Sequence, residues 1–451
     1  MPQLTGRRPG RRGGIVPFLC AFSMLAFAGV GRGDDRAALV ELLRAEPSAG
    51  FEEELAGLAE ACTGDLFLVF VEGGIPGPWL PNGGKFARLD PGRAEQVRRA
   101  LEDLSPDVLR AFLTELAEGE GRLEYRRRGL ELLGGFAGVQ DLRLCIRLAA
   151  PLRVDTSPSH RKTIVLPPAH RTVFRETLEA ILSRDIGAFP MIVHLFPDID
   201  ASLSSAVVDA LRDTRSSLGF EALAALLARP PAPDAYTLRA IRAMAAEFPG
   251  PYPPSVRSKV RALLDDPDPE VQRISMETCA DLEDWEAFPS LLDGLRDERE
   301  RTRTAAVSAL RILTGLHFGP TPRLWESWYR EELEWSREER AVRLQDIESG
   351  DAGAALAAIS DFAHHRYERS SLALDLTAAL DRPEPELVAL ACRALGELGS
   401  PVACGRLVDL LESRDGDVRT AALGALQRIT GGDLPEDVRL WREWVGAGDP
   451  R

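Results

Sequence analysis

The chain has 451 residues, 55 of them basic and 70 acidic, and a formal charge of −15. That length exceeds one ordinary globular core. The acidic balance disfavours nucleic acid and anionic lipid as partners, and an aromatic content of 6% beside abundant Ala, Leu, Arg and Glu argues for helices rather than sheets. Its lysines are Lys85, Lys162 and Lys259, all other basic residues being arginine. This bias reads as a GC-rich coding background, since no basic run occurs in the body of the chain.

Residues 1–28 have the layout of a secretory signal peptide. Arg7, Arg8, Arg11 and Arg12 precede the apolar run Ile15 to Leu25, and Ala26-Phe27-Ala28 offers a small-x-small cleavage site. The run is short for a membrane span and contains Pro17, which argues against a kept anchor. The expectation is an exported protein of the periplasm or cell envelope, with no stable membrane span after cleavage.

Residues 29–120 form an N-terminal, mostly helical region, with helices expected at about 36–45, 51–62, 93–103 and 106–118. Between them, the apolar stretch 65–71 reads either as a buried strand or as a helix end. The Gly/Pro-rich stretch 73–86 resembles a phosphate loop only superficially. Trp79 stands where the first glycine belongs and Phe86 replaces the Ser/Thr after Lys85.

Residues 121–264 read as degenerate repeats of helix pairs, at 121–149, 170–196, 199–228 and 233–264, with proline-rich turns at 229–231 and 248–251. They are interrupted at 150–169 by a Ser/Thr/Pro-rich loop or insertion. Loops of that length in compact domains are frequently functional.

The last part of the chain is duplicated. A shift of 116 residues aligns 264–328 with 380–444 without a gap, giving 22 identities over 65 positions. Pro267, Pro269 and Glu270 fall on Pro383, Pro385 and Glu386. Arg303-Thr304-Ala305-Ala306 falls on Arg419-Thr420-Ala421-Ala422, Thr314-Gly315 on Thr430-Gly431, and Trp325 and Trp328 on Trp441 and Trp444. Ungapped self-similarity of this kind marks a repeat architecture. We therefore divide the region into a first copy at 265–330, a charged linking helix at 331–350, a second copy at 351–446 and a tail at 447–451.

Within the first copy, Asp268 is a helix cap, Pro269 suits the first helical position and Glu270 faces the positive end of the dipole. Helices are expected over 268–282, 284–296 and 300–314, echoed at 384–398, 400–412 and 416–429. The segments DDPDPEVQ (265–272), DRPEPELV (381–388) and DGDVRTAALGAL (415–426) resemble the turns and second helices of HEAT repeats. The endings ALRILTGLHFGPTPRLWESW (309–328) and ALQRITGGDLPEDVRLWREW (425–444) resemble those of exported bacterial HEAT-repeat proteins of planctomycete-like genomes. The resemblance implies an all-α fold, an α-α superhelix of stacked antiparallel helix pairs. It implies little about function.

Chemistry-bearing residues form no recognised motif. Cys62, Cys145, Cys279, Cys392 and Cys404 are an odd, sparse set in apolar helical contexts. Cys392 and Cys404 lie on consecutive helices and either pair or pack in the core. His365 and Asp361, four residues apart, either share a polar face or hold a metal. Trp325/Trp328 and Trp441/Trp444 each share one helix face, as a plug for a helical layer or as a peptide grip. Acid clusters at 51–54 and 297–300 read as solvated faces. No catalytic, cofactor or metal residue is assigned. The reading is a non-catalytic scaffold or adaptor that binds a protein or peptide partner on its helical surface. A lyase-like enzyme of the HEAT-like bilin lyase type is the alternative.

Overall fold

In the computed structural model the described residues are 33–45, 50–76, 79, 86–119, 122–151, 153–157, 160–163, 166–247, 252–432, 435 and 437–447. The expected signal peptide lies outside them. The chain divides into two compact units, residues 1–181 and 182–451. Among the described residues it is all-α apart from two short hairpins, as the resemblance implies.

The first unit carries α1 (Gly33–Arg44), α2 (Phe51–Ala59), α3 (Thr63–Glu72), α4 (Pro91–Glu102), α5 (Pro106–Glu118), α6 (Leu123–Phe136), α7 (Leu142–Ala149) and most of α8 (Pro168–Arg184). Residues 65–71 are helical, in α3. Seven consecutive residues, Thr63 to Val69, are buried there, so the apolar run reflects burial on all sides rather than a strand's single face. Gly73, at φ 68, ends the helix, and β1 (Gly74–Pro76) pairs antiparallel with β2 (Phe86–Arg88). The 150–169 segment, expected to be a loop or insertion, holds a second antiparallel hairpin, β3 (Arg153–Ser157) with β4 (His160–Thr163).

The second unit carries α9 (Ala188–Leu195), α10 (Ser204–Asp213), α11 (Ser217–Leu226), α12 (Asp234–Glu247), α13 (Pro254–Arg261), α14 (Pro269–Asp281), α15 (Phe288–Gly294), α16 (Glu300–Thr314) and α17 (Pro322–Glu338). It continues with α18 (Arg340–Ser349), α19 (Ala352–Phe362), α20 (Arg369–Leu376), α21 (Pro385–Leu398), α22 (Cys404–Leu410), α23 (Gly416–Thr430) and α24 (Val438–Ala447). One row packs α10, α12, α14 and α16 side by side, backed by α11 and α13. A second row packs α19, α21 and α23, backed by α20, α22 and α24. The segment read as a single linking helix is two helices, α17 and α18, broken at Glu339, where φ is −110° and ψ −35°.

The identities between the copies are explained by the contacts they make. Arg303 Nη1 donates to the carbonyls of Asp297 and Glu298, and Arg419 Nη1 to those of Ser413 and Arg414. Each thus satisfies carbonyls left open after the preceding helix. Thr314 Oγ1 accepts from Leu316 N and Thr430 Oγ1 from Gly432 N, both at 3.1 Å. Gly315 and Gly431 close their helices at φ 74 and 65, a conformation that costs glycine least. Trp325 and Trp441 are fully buried. Their Nε1 atoms donate at 2.9 Å to the carbonyls of Gly319 and Pro435, equivalent positions in the two copies.

Buried carboxylates at helix-pair turns hold successive layers together. Asp284, 2% exposed, takes a two-pronged pair from Arg261 at 2.8 and 2.9 Å. Asp141 is held in the same way by Arg110 at 2.7 and 3.4 Å. Forked arginine–carboxylate pairs of this kind fix geometry as well as adding energy.

The tight approach of α21 to α23 gives a paired prediction. A Cβ on Gly396 would lie 2.9 Å from the Ala425 Cα, whereas one on Gly424 of α23 would meet nothing within 4 Å. Gly424→Ala is expected to stabilise the protein by up to about 1 kcal/mol through helix propensity. Gly396→Ala is expected to destabilise it, because overpacking costs about 1–3 kcal/mol. Urea midpoints of the two variants should move in opposite directions.

Candidate partner-binding surface

The side chains singled out in the sequence are drawn into the packing. All five cysteines of the described chain are buried free thiols, so Cys392 and Cys404 are core residues rather than a disulfide. Burial pushes the Cys392 thiol up to about 12 and Cys404 to about 11, and raises Cys145 and Cys279 as well. Thiolate is the reactive form. These four are therefore expected to resist a thiol reagent at pH 8 in the native protein and to react on unfolding, which a DTNB assay with and without guanidinium checks.

His365 and Asp361 belong to a polar junction of α17, α18 and α19. Glu332 is 5% exposed. Its Oε2 accepts from the backbone N–H groups of Arg366 and Tyr367, both at 2.9 Å, and its Oε1 lies 3.2 Å from His365 Nδ1. Trp335 stacks on His365 with centroids 3.6 Å apart and donates from Nε1 to Asp361 at 3.0 Å. Arg343 Nε also reaches Asp361, at 3.1 Å. Each carboxylate is thus engaged by protein donors, and among the described residues no group of three or more His, Cys, Asp or Glu is placed to hold a metal. Trp328 is half-buried with its ring 5.7 Å from that of Phe288. With Trp325 it closes a helical layer. The side chain of Trp444 lies outside the described residues. So does most of the 73–86 stretch.

The acids at 51–54 lie on α2, where Glu52, Glu53 and Glu54 are exposed. At 297–300, Asp297 is half-buried and paired with Arg299, which holds its carboxyl down at about 2.

A cavity of about 600 Å³ opens where the ends of α12, α14 and α16 meet the start of α20 and the 401–403 turn. Its lining includes Arg239, Arg242, Arg257, Arg369, Ile312 and Val402. Three of the arginines are committed. Arg239 pairs with Glu270 at 2.8 Å, Arg242 pairs with Glu277 and with Asp281, and Arg369 reaches Glu283 at 3.2 Å. Arg257 differs. Its Nε donates to the Leu282 carbonyl at 3.0 Å, and it makes no ion pair among the described residues. Ile312 and Val402 face the same space while 38% and 45% exposed.

Glu283 sits on the rim with φ 49. Its equivalent in the second copy is Gly399, at φ 68. A side chain in this left-handed region costs roughly 1–2 kcal/mol. What offsets the cost is its carboxylate, which takes the Arg369 guanidinium and the Ser370 hydroxyl, tying the first copy to the second. Ser370 in turn lies 2.8 Å from the buried Ser400 hydroxyl.

A family model described as HEAT repeats matches residues 221–311 and 344–449. Both stretches are HEAT repeats. The matched stretches contain the second copy and the first as far as residue 311, and the cavity is walled by residues from both copies. No curated protein matches the HEAT-repeat chain. Among solved structures, human deoxyhypusine hydroxylase in complex with glycerol is similar at 16% identity, covering 65% of this chain and 97% of that one, with a TM-score of 0.23. Kap121p bound to Ste12p is similar at 13% identity over 88% of this chain and 45% of the other, with a TM-score of 0.28. No helix among the described residues is long and apolar enough to cross a membrane.

The cavity residues were missed in the sequence because they come from helices far apart along the chain. One signal was present: Glu283 breaks the duplication at a position where the second copy has glycine.

Proposed function

We propose that this HEAT-repeat protein is a non-catalytic scaffold that binds a protein or peptide partner on the exposed face of α12, α14 and α16, working in the cell envelope after export. Stacked helix pairs offer continuous surfaces of this kind. The observation that carries the reading is the cavity with its half-exposed Ile312 and Val402 and its uncommitted Arg257, on a surface otherwise laced with ion pairs. No observation favours the lyase alternative. The envelope location rests on the signal-like residues 1–28.

The test is a crosslinking capture with residues 29–451 in envelope extract of the producing cells, the crosslinked positions being mapped by mass spectrometry. Crosslinks concentrated on α12, α14 and α16 are expected. Crosslinks confined to helices that line no part of the cavity, such as α11 and α15, or none with any envelope component, would overturn the reading.

A further inference from the structure

We infer that the cavity is a receptor for a short linear peptide segment bearing a carboxylate beside an aliphatic side chain, with Arg257 taking the carboxylate and Ile312 and Val402 the aliphatic group. The inference deepens the partner-binding reading and rests on it.

Three observations converge. First, the charge is available: Arg239, Arg242 and Arg369 are neutralised by Glu270, Glu277, Asp281 and Glu283, whereas Arg257 lines the cavity without a carboxylate among the described residues. It is half-buried and aimed by its bond to Leu282 O, so little ordering is left for binding. A guanidinium fork selects carboxylates geometrically. A lone uncommitted cation in a concave site favours an acidic group there, against the general repulsion of a chain of net charge −15. Second, the apolar component comes from two separate elements of the cavity lining. Ile312 comes from α16 of the first copy and Val402 from the 401–403 turn of the second, and both remain substantially exposed. Aliphatic anchors in a partly desolvated pocket are the usual core of a peptide site.

Third, the site is elongated. A shallower groove of about 390 Å³ lies between α14 and α16, lined by Arg273, Glu277, Arg301, Thr304 and Ser308. Thr304, Ser308 and Ile312 follow one another at helical spacing on a single face of α16, linking groove to cavity. From Thr304 to Ile312 the helix advances about 12 Å, the reach of about four residues of extended chain. A track of that form suits a linear segment better than a compact small molecule. The copies also diverge at this place: Glu283 and Asp284 stand where the second copy has Gly399 and Ser400, so the cavity is not a by-product of duplicated packing.

The experiment is panning of a random twelve-residue peptide display library on the mature protein. Enriched peptides are then measured by fluorescence polarisation against wild type, Arg257→Glu and Val402→Asp. Arg257 also supports the Leu282 carbonyl, so Val402→Asp, at an exposed position, serves as the second variant. Both variants are checked for an unchanged thermal melt. Enrichment of an acidic residue beside Leu, Ile or Val is expected, with affinity lowered about tenfold or more by either substitution. Peptides that bind equally to all three proteins would place the partner surface elsewhere, overturning this inference while leaving the scaffold reading intact. A basic consensus, or no enrichment, would overturn it as well. The envelope crosslinking then decides separately whether the scaffold reading stands.

Discussion

Replacing Trp325 by alanine is expected to lower stability by about 3–5 kcal/mol, the range for truncating a large buried aromatic. The side chain is fully buried, sits edge-on to Phe318 with centroids 5.0 Å apart, and donates to the Gly319 carbonyl. The substitution therefore opens a cavity and removes the donor that fixes the turn into α17. Trp325→Phe keeps most of the volume and loses the hydrogen bond, for a cost nearer 1–2 kcal/mol. Trp328→Ala, at a half-buried position, is expected to cost less than Trp325→Ala. In an array each layer contacts only its neighbours, so hydrogen exchange should show the damage in α15, α16 and α17. Trp441→Ala should instead loosen α22, α23 and α24. Equal urea midpoints for wild type and Trp325→Ala would refute the structural role given to the tryptophans.

The second large effect is expected at Glu332. Its buried carboxylate accepts from the backbone N–H groups of Arg366 and Tyr367 and contacts His365. Glu332→Ala leaves two backbone donors without their acceptor at about 1–3 kcal/mol each, a total of about 2–6 kcal/mol. Glu332→Gln keeps one carbonyl oxygen as an acceptor and is expected to cost less than half of that. Exchange of the 366 and 367 amides, slow in wild type, should accelerate by orders of magnitude in Glu332→Ala and modestly in Glu332→Gln. If the alanine variant protects those amides as well as wild type, the junction is held by something other than this carboxylate.

The repeat architecture was legible because its punctuation is chemical. Proline at the first helical position, glycine after the last, an arginine reaching back to open carbonyls and a tryptophan closing each layer recur at a shift of 116 residues. The boundaries of α14 to α16 and of α21 to α23 follow that punctuation to within about a turn. Where that punctuation is absent the reading was weaker. Residues 65–71 left strand and helix open because an element buried on every side has no period, and residues 331–350 concealed the break at Glu339 because charged helical sequence runs through it. The sequence carried nothing to show that Arg257, Ile312 and Val402 share a cavity, since tertiary stacking alone brings α13, α16 and the 401–403 turn together. Trp325, Trp441 and His365, which attract attention by residue type, proved to be packing and junction residues. Arg257, one arginine among many, has no neighbouring residue pattern that marks it.

In the proposed scaffold, one face of the array, α12 with α14 and α16, meets the partner. The most direct measurement places a photo-crosslinking amino acid at Ser308, exposed on α16, and in a second protein at Ser290, exposed on α15, which lines no part of the cavity. Both are expressed in the producing cells and irradiated. A partner adduct from position 308 and none from position 290 is the predicted result. Adducts from 290 alone, or equally from both, would contradict it.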